Sequence, residues 1–240
     1  MLNISKIRAV TLDLDDTLWP IWPTIERAEI ALAAWLRRHA PATAPLFADV
    51  ALRTRLREQV VNTRPDIGHN MSALRQEVIR QALLKCGDDS ALAGPAFEVF
   101  FDARMQVDLY DDAMPALEFL AARFPLVALS NGNADVHRVG IGRYFTASVS
   151  AHEFGVGKPD PRIFHAAAQS AGCTAQEVLH IGDDAALDVA GAQAVGMQTV
   201  WVNRAQQAWP QAGGPQAGGP QLTVSSLAQL VQVLQGAPPR

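Results

Sequence analysis

The spacing of apolar positions changes character twice along the chain. Ile7 to Asp13 is short, apolar and partly β-branched, and it ends in carboxylates. That pattern predicts a buried strand feeding a functional loop. From Thr24 to about Val107 the spacing becomes helical, with blocks predicted near 24–38, 46–62, 71–86 and 90–107. Leu52, Leu56 and Val60 recur every four residues, as do Leu74 and Val78, with Ile79, Ala82 and Leu83 beside them. Gly87 supplies a helix stop. After Tyr110 a helix at 113–122 leads to the strand-like PLVALS at 125–130, and further strands are predicted at 147–150, 177–182, 199–203 and 222–226. Helical segments lie between most of them. Alternation of this kind predicts a parallel sheet covered on both faces. The strand at 7–13 belongs to that sheet, so the helical block is an insertion after it.

The expected fold class is therefore α/β: a doubly wound parallel sheet from 1–19 and 109–240, with an all-α domain inserted at 20–108. Within the core, 205–221 reads as a flexible Gly/Pro/Gln linker, because QAGGP occurs at 211–215 and again at 216–220. Two copies of five residues are too few to build a repeat fold.

Length and charge narrow the class. The 240 residues are 49% hydrophobic, enough to bury one large core or two smaller ones. The net charge of −4 gives no basic footprint, so nucleic acid is not an expected partner. A local positive pocket on an acidic protein can still take a small anion. Cys86 and Cys173 lack metal-site spacing and read as free thiols. Neither a signal-peptide pattern nor an 18-residue apolar run is present, so a cytoplasmic protein without a membrane partner is expected.

Four strand ends carry chemistry. VTLDLDDTLW places Asp13 and Asp15 two apart, hence on one side at the carboxyl end of a strand, with Asp16 and Thr17 following. Two crowded carboxylates need a proton or cation between them, and magnesium is the usual hard ion beside phosphate. An acidic helix-capping turn is the less favoured alternative for DLDDT taken alone. VALSNGN ends in Ser130 and Asn131, where a hydroxyl and backbone N–H groups suit a phosphoryl oxygen; a plain turn is the alternative. GVGKPDPRIF offers Lys158, either a counter-charge to phosphate and carboxylates or a solvated surface lysine. VLHIGDDAALD supplies Asp183, Asp184 and Asp188, further metal ligands or an acidic first helical turn. Coincidence would have to place suitable groups at the end of a different strand each time.

Taken in order, these segments resemble the haloacid dehalogenase-like superfamily. Its DxDxT motif matches Asp13, Asp15 and Thr17, its second-motif hydroxyl matches Ser130, its lysine matches Lys158, and GDxxxxD matches Asp183 and Asp188. The resemblance implies a Rossmann-like core with an all-α cap, and a phosphatase that hydrolyses phosphoric monoesters of a small metabolite. It implies Asp13 as nucleophile and Asp15 as acid and base. Mg2+ would be held by Asp13, the Asp15 backbone carbonyl, Asp183 and Asp188. Thr17, Ser130, Asn131 and Lys158 would hold the substrate phosphate. DLDDTLW, SNGN and HIGDD are most similar to the bacterial phosphatases acting on FMN and on a riboflavin-pathway ribityl phosphate. On that likeness, Trp19 and Trp22 are candidates to flank a flat ring, and Arg64, His69 and Arg75 to meet a substrate; packing and a solvated helix face are the alternatives. The cap is expected to move as a unit on hinges near 18–23 and 108–112. A sugar phosphatase, a 2-haloacid dehalogenase and a non-enzymatic phosphoacceptor module remain as rivals. Asp15 argues against the dehalogenase, because attack on carbon needs no second acid. The inserted helices argue against a phosphoacceptor module, which is shorter.

Overall fold

Strand sequences that are apolar on both faces can only sit between two covering layers, and the computed structural model of the chain, which describes residues 1–209 and 219–236, puts them there. The strands are β1 (Ala9–Leu12), β2 (Leu126–Ser130), β3 (Ala147–Ser150), β4 (Val178–Gly182), β5 (Gln198–Val202) and β6 (Leu222–Val224), ordered β3-β2-β1-β4-β5-β6. Every neighbouring pair is parallel. Strands β1, β2 and β4 are buried at every position, whereas the edge strands β3 and β6 are partly exposed. The chain passes outward from β1 to β3, then returns to the other side of β1 with β4. That reversal leaves a crevice at the carboxyl ends of β1 and β4, the usual ligand position in a Rossmann-like sheet.

The chain divides into two compact units, Met1–Pro20 with Asp108–Arg240, and Ile21–Val107. The second is wholly helical: α1 (Ile21–His39), α2 (Ala44–Ala48), α3 (Val50–Thr63), α4 (Met71–Cys86) and α5 (Ala93–Arg104). One block predicted at 46–62 is two helices, because Asp49 is extended and its side chain caps α3 by accepting from Leu52 N at 3.1 Å. The stretch predicted to begin at 90 starts as a 3₁₀ turn, Ser90–Leu92. Gly87 ends α4 in the left-handed conformation, φ +79°, as its position implied. Leu56, Val60, Leu74, Val78, Ile79 and Leu83 enter one core with Leu32, Leu36 and Phe100. Leu52 does not: it stays 41% exposed in the first turn of α3.

In the sheet unit α6 (Ala113–Ala121), α7 (Val136–Val139), α8 (Ala151–Phe154), α9 (Pro161–Ser170) and α10 (Gly191–Ala194) lie between strands, with a π-helical segment at Ala185–Ala190, and α11 (Leu227–Gln235) follows β6. The expected linker at 205–221 lies largely outside the described residues, which omit 210–218. Cys86 and Cys173 are free and half-buried. Among the described residues no helix is long and apolar enough to cross a membrane.

One cation ties together the loops of the sheet unit that flank its border. Arg204 makes a forked pair with Asp112 (2.9 and 3.1 Å), donates to the Thr17 carbonyl at 3.0 Å and lies 3.8 Å over the Tyr110 ring. Tyr110 N in turn donates to Leu18 O at 2.9 Å, and Asp112 also accepts from Leu227 N at 2.7 Å. Burial alone would raise the Asp112 carboxyl, but Arg204 and the backbone N–H groups outweigh it and hold it below the usual range. A depressed carboxylate contributes stability above its unfolded pKa and loses it as the pH falls through the folded value. Arg204→Ala should therefore destabilise the sheet unit by about 2 kcal/mol at neutral pH, as loss of a charged hydrogen-bond fork does. The difference from wild type should shrink as Asp112 protonates. Urea titrations at pH 7 and below 4 check both; an equal loss at both pH values would remove Asp112 from the explanation.

Candidate active site

Asp13, Ser130 and Asp183 stand at the carboxyl ends of β1, β2 and β4 because the strands stop there. Asp13 N donates to Ile181 O at 2.9 Å, so the chain leaves β1 at the border with β4. It then turns tightly: Leu18 N bonds Leu14 O at 2.8 Å, Asp16 N bonds Trp19 O at 2.7 Å, and Asp16 takes a left-handed φ of +57° that aspartate tolerates. Ser130 is the last residue of β2, and its Oγ accepts the Gly132 N–H at 2.9 Å. Asp183 and Asp184 follow β4, and Asp188 rises from the π-helical segment.

The structure brings Asp13, Asp183 and Asp188 together with carboxylate oxygens within 4.8 Å of one another, a group that could hold a metal ion. The buried Lys158 ammonium lies between two of them, bonded to Asp13 Oδ1 and, at 2.6 Å, to Asp188 Oδ1. Gly182 is where Asp188 leans against β4; a Cβ there would collide with its carboxylate. Three carboxylates outnumber one ammonium, and the titration behaviour follows from that imbalance. Burial opposes charge on all four groups. Lys158 is nonetheless held charged, above its ordinary value, by Asp13 and Asp188. Asp188 is driven below the carboxylate range by Lys158 and by its bond from His180. Asp13 rises, pushed by burial and by Asp188 and Asp183 against the pull of Lys158. Asp183 is pushed up to about 7 by burial and Asp188, against the bond from Thr17. All-oxygen donors carrying two negative charges more than Lys158 offsets fit a hard divalent cation.

Several side chains have partners that the sequence did not announce. Thr17, expected at the phosphate, is fully buried, and its hydroxyl donates to Asp183 Oδ1 at 3.1 Å. The Asn131 side chain, also expected at the phosphate, brackets the Lys158 backbone: Oδ1 accepts Lys158 N–H at 2.6 Å and Nδ2 donates to Lys158 O at 2.8 Å. Asp184 spends its carboxylate capping Ala186 and Leu187 N–H, both at 2.8 Å, while its own N–H holds Asp188 Oδ2 at 2.9 Å. Trp19 has no exposed surface, so it cannot flank a ring; its indole N–H donates to Asp15 Oδ1 at 2.8 Å. Trp22, in the helical unit, is 77% exposed. In that unit Arg64 forms a fork with Asp66, and Arg75 pairs with Glu29 and lies 3.7 Å over the Phe100 ring. Both cations thus have partners of their own, and His69 is half-buried.

Sequence reasoning missed His180, Thr11 and Trp201. His180 is buried in β4, paired in register with Thr11 of β1; Nδ1 lies 2.8 Å from Thr11 Oγ1 and Nε2 3.1 Å from Asp188 Oδ1. Burial lowers its pKa, more than the neighbouring Asp188 raises it, so the ring is neutral. An ionised Asp188 only accepts, so Nε2 carries the hydrogen and Thr11 donates to Nδ1. A lone imidazole inside the apolar run VLHIG was the available signal. Trp201 donates its indole N–H to Asp183 O at 2.7 Å, a partner nothing local in QTVWV foretold.

The sequence matches the haloacid dehalogenase-like hydrolase family over residues 7–196, and the chain belongs to that family. It is a hydrolase. Among its relatives, the Escherichia coli K12 protein YigB, a 5-amino-6-(5-phospho-D-ribitylamino)uracil phosphatase, is 36% identical over 203 residues, spanning 83% of this chain and 84% of its own. A glyceraldehyde 3-phosphate phosphatase from Methanopyrus kandleri is 31% identical over 83% of this chain and 85% of its own. A crystal structure described as a 2-haloacid dehalogenase, from Pseudomonas syringae pv. Tomato DC3000, superposes with a TM-score of 0.88 at 39% identity, covering 95% of this chain and 98% of that one.

Proposed function

We propose that the chain is a Mg2+-dependent phosphomonoesterase that forms an aspartyl-phosphate on Asp13, acting on a small phosphorylated metabolite. The observation that carries this reading is the convergence of Asp13, Asp183 and Asp188, with the Lys158 ammonium bonded to the first and the last of them. Asp13, the Asp15 backbone carbonyl, Asp183 and Asp188 would hold the ion. When bound it would offset carboxylate repulsion and the charge of a phosphate. Lys158 and the Ser130 hydroxyl would orient phosphoryl oxygens, with Asn131 keeping Lys158 in place. Asp13 attacks phosphorus while Asp15 gives its proton to the departing alkoxide. Water then attacks the phosphoryl group, Asp15 takes that proton, and Asp13 is released. For the substrate, the YigB likeness over most of the chain supports a ribityl phosphate or FMN.

The dehalogenase description of the Pseudomonas syringae structure favours a second reading, attack by Asp13 on a halogen-bearing carbon. A carbon–halogen bond breaks without a proton donor, so that reading leaves Asp15 without a task. Phosphate release from a panel of esters, run with magnesium beside halide release from 2-chloropropionate, separates the two. The expected result is turnover of ribityl phosphates or FMN and no halide. Halide release without phosphate release would reverse the assignment, and faster turnover of phosphosugars would make the enzyme a sugar phosphatase.

A further inference from the structure

Trp19 is among the largest fully buried side chains, yet it carries one polar atom, and that atom points at a candidate catalytic group. Indole N–H is a donor with no acceptor capacity. Its partner is Asp15 Oδ1 at 2.8 Å. The backbone makes the meeting obligatory: Asp15 and Trp19 form an isolated bridge, and Asp16 N bonds Trp19 O at 2.7 Å across the turn. The other carboxyl oxygen, Oδ2, lies over Gly132, where any Cβ would collide with it. One oxygen is thus fixed by a donor and the other fits only because position 132 has no side chain.

We propose that Trp19 is a positioning residue for Asp15: its indole N–H holds Oδ1 and so sets the orientation of the carboxyl group that exchanges the proton. This rests on the phosphatase reading and deepens it. In the first step the bond from phosphorus to the leaving oxygen breaks as the Asp13 oxygen bonds to phosphorus. The proton passes from the Asp15 carboxyl group to the leaving oxygen, giving the free alcohol. In the second step the water oxygen bonds to phosphorus, the bond to Asp13 breaks, and one water proton returns to Asp15. Without the indole N–H the carboxyl group loses one of the contacts that orient it, and proton transfer to the leaving group slows.

The test uses the dependence on leaving group, since an alkoxide needs the proton far more than p-nitrophenolate does. Positioned acid catalysis contributes about 10²- to 10⁴-fold. Trp19→Phe, which keeps a ring and deletes the N–H, should forfeit only a fraction of that contribution, lowering kcat/KM for an alkyl phosphate about 10- to 100-fold and for p-nitrophenyl phosphate less than about threefold. Incorporating benzothienylalanine at position 19, with sulfur in place of the N–H, preserves the shape and should give the same split if the phenylalanine variant folds poorly. Equal losses on both esters would make Trp19 a packing residue, and an unchanged alkyl rate would remove it from the reaction; either overturns the proposal. Asp15→Asn is run alongside. If it discriminates between the esters and the Trp19 variants do not, only the proposal for Trp19 fails. If it leaves the alkyl ester untouched, the acid role of Asp15 fails first and takes the proposal with it.

Discussion

Asp13→Asn should abolish turnover and the covalent phosphoenzyme while leaving the protein folded. The change is nearly isosteric and the amide keeps an oxygen to accept from Lys158, so the hydrogen-bond frame survives. The variant loses nucleophilicity, because an amide oxygen attacks phosphorus poorly. Removal of a nucleophile that works as part of a unit costs factors of about 10⁴ to 10⁶ in kcat. The stability should move in the opposite direction. Asp13 is buried and held above the carboxylate range by burial and by Asp188 and Asp183. Deleting its charge relieves that repulsion, so the melting temperature of the metal-free variant should equal or exceed that of wild type. Rapid-quench mass spectrometry and calorimetry read the two halves separately. Residual activity within tenfold of wild type, or a phosphoryl group on another residue, would sink the nucleophile assignment. A large drop in melting temperature would show that the loss came from unfolding.

The sheet was legible because its strands are short apolar runs that end where chemistry-bearing residues begin. β1, β2 and β4 each differ from the predicted runs by only a few residues at the ends. Asp13 and Asp183 could be nominated because residues at the carboxyl ends of adjacent strands converge in a parallel sheet of this winding, and Asp188 because it follows in the first turn after β4. Side-chain commitments were not legible. Thr17 and Asn131 carry the right groups for phosphate, but the fold spends one on Asp183 and the other on the Lys158 backbone, 166 and 27 residues away. Trp19 could be read either as a flank for a ring or as a packing residue, because hydropathy does not say which way an indole N–H points. His180 and Thr11 lie 169 residues apart, and only their register in adjacent strands makes them partners. The helical insertion was bounded by its apolar spacing, and its internal break at Asp49 was hidden because an aspartate inside a helical pattern reads equally as a surface residue or as a cap.

Chelation should remove activity and added magnesium should restore it, but the sharper consequence is a metal-dependent change in stability that Asp183→Asn erases. Without metal, one ammonium faces three carboxylates, and the deficit is visible in Asp183, pushed up to about 7 by burial and Asp188 although Thr17 donates to it. A cation that binds only the folded protein stabilises it by about 2.7 kcal/mol when present at 100 times its dissociation constant. For a chain of this size that corresponds to roughly 5–10 °C in the transition of the sheet unit. Asp183→Asn removes one negative ligand and keeps an oxygen acceptor for Thr17, so the fold has no reason to fail. It should be at least as stable as wild type without metal and nearly indifferent to magnesium. Asp184→Asn is the contrasting variant: its carboxylate caps Ala186 and Leu187 N–H, an amide oxygen can still accept there, and the magnesium shift should persist. Melting curves of the three proteins in chelator and in excess magnesium decide the matter. Undiminished turnover in chelated buffer, or a shift in Asp183→Asn equal to that of wild type, would mean that the carboxylate group does not hold the ion.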